Sequence, residues 1–581
     1  MKKAHRIIMR KRIILFFLII IQQTIYAQKE QYNQFMKTWN FLKFYHPDLA
    51  GRKIDADSLF LVNIEKVNEK SDANTIIRQL SENLNNKFSG PAVINEHQDV
   101  LSKNQDFSWF QKNRKISNEN KEFLTDVYKH RYNAELLKGK QIYDEKEYKF
   151  PKEENLSLGY RLLALAKIQG SMDYLYPNRY LMDKNFDAYF KDMIDQAVHA
   201  ASRREFEIIL AKIVSKLEDS HAFKFYSQLK YKNEIFHLFY YAPFDYMVFK
   251  DYLLVTHLIL PEVCSEAQIN VGDRITEING KSIRQIIKEK SELLSFSNFE
   301  NLLYHLSDYQ KNLIWPDDSQ LKELKIQSKT TNKNIFSKIS FINPADKPQT
   351  EQIVTYINDK ISRQKEHKLT DPDIAYFRID QTKPFLDNAP ENKLDESIES
   401  ILKEAASKKA IVFDMRGYPD WGGFPFHYIY KYFSPVHNDF GKYYRPDLKN
   451  IGTYTPILPD EYGTYYPKIE NKTVHPYKGK VFILVNSETL SASEWYTMSL
   501  QHIFPQSLTI GQKTAGADGD IKTVMLPGAY ALVFSGIGIF YADNSQTQKV
   551  GIRINELIKY TDDDIIQNRD LEFERVLKAV K

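Results

Sequence analysis

The residue types best suited to chemistry follow an apolar run near the C-terminus. The run Val481–Val485 has no polar alternation, which is typical of a strand buried on both faces. A polar turn follows, and the pattern then predicts a helix that starts at Ser491. A helix N-terminus favours negative charge through its free N–H groups and its dipole. Acyl transfer needs that environment, because the attacked carbonyl becomes an oxyanion, so Ser491 is a candidate nucleophile.

The same stretch also has a purely structural interpretation. Ser491 and Glu494 are spaced as Ser-x-x-Glu, the capping-box pattern, in which two side chains only start a helix. On this stretch alone, both interpretations stay open.

Three other stretches contain residues that suit the same chemistry. The first, Leu217-Glu-Asp-Ser-His-Ala-Phe223, contains His221, and imidazole is the natural general base near neutral pH. The second, Ile411–Gly423, reads as a buried strand followed by Asp-x-Arg and paired glycines, and the third is the glycine-rich segment Gly511–Gly519. The chain has 14 histidines, so His221 by itself also fits a structural role.

Composition limits the class of protein. A chain of 581 residues is too long for one core, so about two to four domains are expected. The net charge of +5 is close to balance and there is no long basic block, which gives nucleic-acid binding no support. Cys264 is the only cysteine, so the chain has neither an internal disulfide nor a cysteine-based metal site.

The N-terminus has the pattern of a secretory leader. Basic residues from Lys2 to Arg12 precede the apolar run Ile13–Ile21, and Ala27 is a small residue at the expected cleavage point. The apolar run is too short for a comfortable membrane span. An uncleaved anchor is the alternative. We therefore expect a signal peptide over residues 1–27 and a periplasmic or secreted protein.

The hydrophobic periodicity divides the rest of the chain. Residues 28–150 predict a helical N-terminal domain, and residues 151–230 predict a helical cap that ends in the Ser-His pair. The two helical segments look like a degenerate internal duplication. Residues 231–290 change to short strands, residues 291–373 form a connecting region without a clear assignment, and residues 374–581 alternate strand and helix as in an α/β domain.

The short-strand segment has one specific motif. Gly272-Asp-Arg-Ile-Thr-Glu-Ile-Asn-Gly280 resembles the later half of the PDZ domain family, and its Asn-Gly pair is a tight-turn signal. The resemblance implies a β-rich, PDZ-like insert that accepts a peptide as an added strand.

Taken together and in order, these motifs resemble the C-terminal-processing (tail-specific) and tricorn-core serine peptidases, over the region from about Leu158 to the C-terminus. The resemblance implies a crotonase-like α/β catalytic domain. Tail-specific members use a lysine base, but Ala517 occupies that position here. Tricorn-like members use a Ser-His pair, which is present as Ser220-His221. The resemblance therefore implies Ser491 as nucleophile and His221 as base, with Lys513 as the weaker alternative base.

The resemblance also implies supporting residues. Ser220 and a downstream acidic residue orient the histidine in tricorn-like members, and Gln548 stands at the acidic position here. An amide orients imidazole but does not stabilise imidazolium by charge. For the oxyanion hole the resemblance implies the N–H groups of Ala492 and of Gly422 or Gly423. No metal or cofactor is implied, because the chain has no His/Glu set at metal-ligand spacing.

The sequence therefore predicts an exported serine endopeptidase with a mixed α/β, multidomain fold, acting on peptides or unfolded protein. The alternatives are a non-catalytic peptide- or ligand-binding protein on the same fold and a scaffold that uses only its PDZ-like part.

The leader gives the first testable prediction. Removal of residues 1–27 should leave a native protein whose N-terminal sequence starts close to Gln28 or Lys29, because the basic and apolar segments precede a small residue at Ala27. N-terminal sequencing of protein from the native host tests this. Recovery of Met1 in a membrane fraction would contradict it.

Overall fold

A computed structural model describes residues 28–88, 92, 101, 104–137, 154–366, 371–433, 440–457 and 475–581. The predicted signal peptide lies outside the described residues. No helix in the described part of the chain is both long enough and apolar enough to cross a membrane.

The strands are β1 (Phe244–Val248), β2 (Leu253–Leu258), β3 (Arg274–Ile278), β4 (Lys281–Ser282), β5 (Leu321–Gln327), β6 (Asn334–Ser340), β7 (Ile374–Arg378), β8 (Ala410–Asp414), β9 (Gly441–Pro446), β10 (Tyr454–Ile457), β11 (Lys480–Val485), β12 (Leu508–Gly511), β13 (Ile521–Leu526), β14 (Tyr530–Ser535), β15 (Gly538–Tyr541) and β16 (Glu556–Leu557).

The chain forms two compact units, each assembled from separate segments. The first unit contains the described residues up to Leu217 together with Arg445–Thr455 and Lys522–Gly536. The second unit contains Glu218–Tyr444, Pro456–Ile521 and Ile537–Lys581.

The first unit is mainly helical, as the sequence predicts for residues 28–230. Its helices are residues 28–45, Pro47–Ala50, Ala56–Ile64, Ala73–Ser81, Ser108–Gln111, Asn118–Lys129, Leu158–Gly170, Phe186–His199 and Arg203–Ser215, with shorter turns at Ala134–Leu137, Ser171–Leu175 and Arg179–Leu181. Aspartates start several of them, because a side-chain oxygen satisfies a free N–H of the first turn: Asp55 accepts from the N–H of Ser58 at 2.6 Å. The internal duplication stays a prediction.

An antiparallel sheet with strands of different lengths comes first along the chain in the second unit. Its strands lie in the order β1-β2-β3-β5-β6, and β4 pairs with β3. The helices that surround it in the chain are Lys232–Phe236, Pro261–Glu266, Ile283–Ser291, Phe299–Leu306 and Lys347–Glu366. The predicted strand over Arg274–Ile278 is present, but the sheet also takes β5 and β6 from the region that was left unassigned.

A parallel sheet forms the core of the rest of the second unit. Its order is β16-β12-β11-β8-β7, and each pairing is parallel. Strand β8 is buried throughout, because helices cover both faces of the sheet. The covering and flanking helices are Lys383–Asp387, Leu394–Ala406, Phe424–Ile429, Tyr430–Phe433, Ala492–Ile503, Asp562–Ile566 and Leu571–Val580.

The parallel sheet places three predicted motifs at one edge. The carboxyl ends of parallel strands meet at the same edge, and there β8 leads to the Asp-x-Arg turn, β11 to Ser491 and β12 to the glycine-rich segment. The adjacent turns are hydrogen-bonded: the Thr489 hydroxyl donates to the carbonyl of Met415 at 2.8 Å, and the N–H of Ala515 donates to the carbonyl of Thr489 at 3.0 Å.

Candidate active site

Ser491 lies immediately before the helix Ala492–Ile503 in an uncommon backbone conformation. Its φ is 56° and its ψ is −119°, a left-handed φ that non-glycine residues rarely adopt. Its N–H donates to the carbonyl of Ala517 at 3.0 Å, and its hydroxyl lies 3.4 Å from the carbonyl of Gly519. The Ser491 side chain makes no capping hydrogen bond to the helix, so its hydroxyl is not the helix cap. The interpretation of this serine as the capping residue of a capping box is therefore wrong.

Glu494 holds the glycine-rich segment against the Ser491 helix. Its carboxylate is completely buried and accepts from the hydroxyl of Thr514 at 2.5 Å and from the N–H groups of Gly516 and Ala517 at 2.9 and 3.0 Å. Buried charge is stable only when it is paired or hydrogen-bonded, and three donors meet that need here. Glu494 thereby fixes the carbonyl of Ala517 that receives the N–H of Ser491.

Asp518 is a second buried carboxyl group beside this segment. One of its oxygens accepts from the N–H of Gly519 at 2.7 Å, and the other is buried without a hydrogen-bond partner among the described residues. Burial, together with the charge of Glu494, raises the pKa of Asp518 well above its ordinary value. Burial also raises the pKa of Glu494, but the hydrogen bonds that its carboxyl group accepts oppose that shift.

His221 lies in the short helical segment Ser220–Gln228 and contacts an aspartate. Its N–H donates to Oδ1 of Asp219 at 3.0 Å, and its ring Nδ1 is 3.3 Å from the same oxygen. Asp219 is completely buried, and the side chain of His221 is 7% exposed. Sequence reasoning missed Asp219, although an acidic residue two positions before the candidate base was the available signal.

Ser220 and Gln548, the residues expected to orient His221, both lie near the glycine-rich segment. The Ser220 hydroxyl donates to Oδ1 of Asn301 at 2.9 Å and is 3.4 Å from the carbonyl of Ala515. The side-chain amide of Gln548 is buried and has no hydrogen-bond partner among the described residues, and the next residue, Lys549, donates its N–H to the carbonyl of Gly516 at 2.7 Å. The orienting roles of Ser220 and Gln548 stay predictions.

The predicted oxyanion-hole residues border the same helix. Ala492 is its first residue. Gly422 approaches this helix so closely that a Cβ there would lie 2.4 Å from the hydroxyl of Tyr496, whereas a Cβ at Gly423 would meet the indole nitrogen of Trp421 at 2.6 Å. A side chain at Gly422 or Gly423 would therefore displace Tyr496 or Trp421, and the oxyanion role of the two glycines stays a prediction.

The remaining charged residues of the motifs have other partners. Arg416 pairs with Asp414, Asp570 and Glu572, which ties the Asp-x-Arg turn to the C-terminal helix. The Lys513 amine lies 3.5 Å from Glu300, and its side chain is 38% exposed.

Comparison with known proteins identifies the family of the parallel-sheet domain. The family model of peptidase family S41 matches residues 373–557. The parallel-sheet domain therefore matches a peptidase family, and the chain is a peptidase. The predicted resemblance and the predicted enzyme class are confirmed. No curated protein matches the chain.

Several solved structures match most of the chain with TM-scores below 0.5. Mature CPAF has 13% identity and a TM-score of 0.49, and the match covers 73% of this chain and 97% of that one. The photosystem II D1 C-terminal processing protease has 13% identity and a TM-score of 0.31, with 70% and 94% covered. The tricorn protease has 13% identity and a TM-score of 0.32, with 73% and 36% covered.

The raised pKa of Asp518 predicts a pH dependence of stability. Its pKa is raised above the ordinary value of 3.8, so the folded state keeps a proton that the unfolded chain releases. This contribution is present below about pH 3.8 and is lost as the pH rises towards the folded pKa. Asp518→Asn keeps the acceptor for Gly519 and removes the titration, so its melting temperature should fall less than that of the wild type across that window. Overlapping curves of melting temperature against pH would contradict a protonated Asp518.

Proposed function

We propose that this protein is an exported serine endopeptidase that cleaves peptides or protein tails, with Ser491 as the nucleophile and His221 as the general base. The observation that carries the proposal is the placement of Ser491 before a helix, with its hydroxyl free of the capping role and its backbone held at a φ of 56°. Strained backbone of this kind persists where the surrounding structure fixes it, and it is enriched at functional sites.

The contacts of the glycine-rich segment support a site that contains both Ser491 and His221. Ser491 is bound to it through Ala517 and Gly519, and Ser220, next to His221, approaches it at Ala515. The stretch with the proposed nucleophile and the stretch with the proposed base therefore both contact this segment.

The contact between Asp219 and His221 supports the histidine as base. In the proposed reaction, Nδ1 of His221 donates to Asp219, which leaves Nε2 to take the proton as the Ser491 oxygen bonds to the substrate carbonyl carbon. The same proton passes to the leaving amine when the peptide bond breaks, and water then hydrolyses the acyl-enzyme in the same way. Asp219 supplies the negative charge that stabilises imidazolium, which Gln548 does not. Ser220 and Gln548 act as secondary orienting groups.

The developing oxyanion is stabilised by backbone N–H groups in this proposal. Ala492 offers the N–H that follows the nucleophile, at the positive end of its helix, and Gly422 or Gly423 offers the second. A lysine mechanism is less well supported, because the amine of Lys513 lies beside Glu300.

The proposal includes the finer description of the fold. The parallel-sheet domain is crotonase-like, and the antiparallel sheet of β1 to β6 is PDZ-like and binds the substrate tail. The leader over residues 1–27 directs the protein to the periplasm or the exterior.

Variants of the proposed catalytic residues test the mechanism. Ser491→Ala and His221→Ala should each lower kcat by roughly 10⁴-fold or more, and the double variant should be little worse, because the two residues act as a unit. Asp219→Asn should lower kcat by about 10²- to 10⁴-fold, because it removes the charge beside imidazolium. Gln548→Ala should cost less, and Gln548→Glu is expected to raise the rate. A defined peptide mixture, with fragments read by mass spectrometry, gives these rates.

The controls for this series are Lys513→Ala and a fluorophosphonate probe. Lys513→Ala should keep wild-type activity, and the probe should label the wild type at Ser491. If Lys513→Ala abolishes activity while His221→Ala keeps it, the protein is a Ser-Lys enzyme. A Ser491→Ala protein that keeps all activity and an unlabelled wild type would identify a binding protein instead.

The PDZ-like sheet predicts recognition of a substrate tail. The inactive Ser491→Ala protein should bind an extended fluorescent peptide with a free C-terminal carboxylate more tightly than the same peptide with an amidated end, because domains of this kind take a terminal strand. Fluorescence anisotropy gives both affinities. Equal affinities would contradict tail recognition at this sheet.

A further inference from the structure

Two buried asparagines lie at the start of the helix Phe299–Leu306, inside the region that the sequence left unassigned. Asn298 precedes the helix and its side chain accepts from the N–H of Asn301 at 3.0 Å. Asn298 is 8% exposed and Asn301 is 1% exposed. They are called the asparagine pair here.

Asn301 joins the stretch before Ser491 to the stretch that contains His221. Its Oδ1 accepts from the hydroxyl of Ser220 at 2.9 Å, and its Nδ2 donates to the carbonyl of Ser487 at 3.0 Å. Ser487 lies in the turn that leads from β11 to the nucleophile. One side-chain amide therefore spans the two segments.

Asn298 makes a second connection to the glycine-rich segment. Its Nδ2 donates to the carbonyls of Thr514 and Ala515 at 2.8 and 3.0 Å. Thr514 is a donor to Glu494, and Ala515 donates its N–H to Thr489. The asparagine pair thus reaches the segment that fixes the backbone of Ser491.

Two serines just before the pair complete these contacts. The N–H of Ser297 donates to the hydroxyl of Ser220 at 2.9 Å, and the N–H of Ser220 donates to the hydroxyl of Ser297 at 2.9 Å. Ser295 exchanges hydrogen bonds with the backbone of Asp219, accepting at 3.1 Å and donating at 2.9 Å. Residues 295–301 therefore bind both Asp219 and Ser220, the two residues that directly precede His221.

We propose that Asn298 and Asn301 are positioning residues that set the distance and orientation between His221 and Ser491. This inference rests on the proposed function. A neutral amide donates and accepts in fixed directions, so it connects the two segments without adding a charge beside the base. Misplacement of reacting groups by about 1 Å costs roughly 10²-fold in rate, so such a connection matters for catalysis.

Asn301→Ala tests the proposal, with Asn312→Ala as the matched control. Asn312 is also a buried asparagine of the second unit and is 2% exposed. Its side chain donates to the carbonyl of Tyr240 at 2.9 Å and accepts from the side chain of Trp315. Its hydrogen bonds do not involve residues 219–221 or 487–519. Both variants lose a donor and an acceptor in a buried site, so both should lower the melting temperature.

The kinetic constants separate positioning from stability. Asn301→Ala should lower kcat by about 10- to 100-fold with KM nearly unchanged, and the rate of fluorophosphonate labelling at Ser491 should fall in parallel. Asn312→Ala should keep kcat within about twofold of the wild type. Equal kcat for Asn301→Ala and Asn312→Ala at matched loss of melting temperature would overturn the proposal.

A double variant distinguishes failure of this inference from failure of the proposed function. If Asn301 acts by positioning His221, then Asn301→Ala should cost little further rate in a His221→Ala background. The full 10- to 100-fold loss in that background would overturn the positioning role while the single variants still support the Ser491–His221 mechanism. Wild-type activity in both His221→Ala and Ser491→Ala would instead overturn the proposed function, and the positioning role with it.

Discussion

The buried carboxylate of Glu494 is the interaction on which the geometry around Ser491 depends. Its three donors come from Thr514, Gly516 and Ala517, so one charge fixes a whole turn of the glycine-rich segment. That turn presents the carbonyl of Ala517 to the N–H of Ser491. A left-handed φ at a serine costs free energy on the order of 1–3 kcal/mol and persists only where the surroundings determine it. Charge-assisted hydrogen bonds to a buried carboxyl group are strong enough to do so.

The strands of the parallel sheet could be predicted because short, continuous segments of sequence indicate them. Apolar runs such as Ala410–Asp414 and Val481–Val485 have the composition of strands covered on both faces, and the structure has strands over both. Strand β5 was missed for a physical reason. Its inward positions include Lys322, which is 1% exposed because its amine pairs with Asp317, while Leu321 points outward at 49% exposure. A buried lysine and an exposed leucine reverse the pattern that sequence reasoning uses.

The candidate site could be predicted only in part, for a related reason. Ser491 and His221 lie in short motifs that a sequence displays directly. The asparagine pair does not, because its contacts join residues far apart in the chain: Asn301 and Ser220 are 81 positions apart, and Asn298 and Thr514 are 216 apart. Asparagine is common in turns and helix starts, where it needs no distant partner. Only the fold reveals which asparagine connects two segments.

Three buried carboxyl groups near the proposed site differ in their partners. Glu494 accepts hydrogen bonds from Thr514, Gly516 and Ala517, whereas Asp518 has one donor, and burial beside Glu494 raises its pKa well above the ordinary value. Asp219 faces the ring of His221, so its charge is directed at the group that becomes positive in the proposed reaction. In the proposed mechanism Asp219 supplies the counter-charge for imidazolium, so the position of Gln548 needs to supply none.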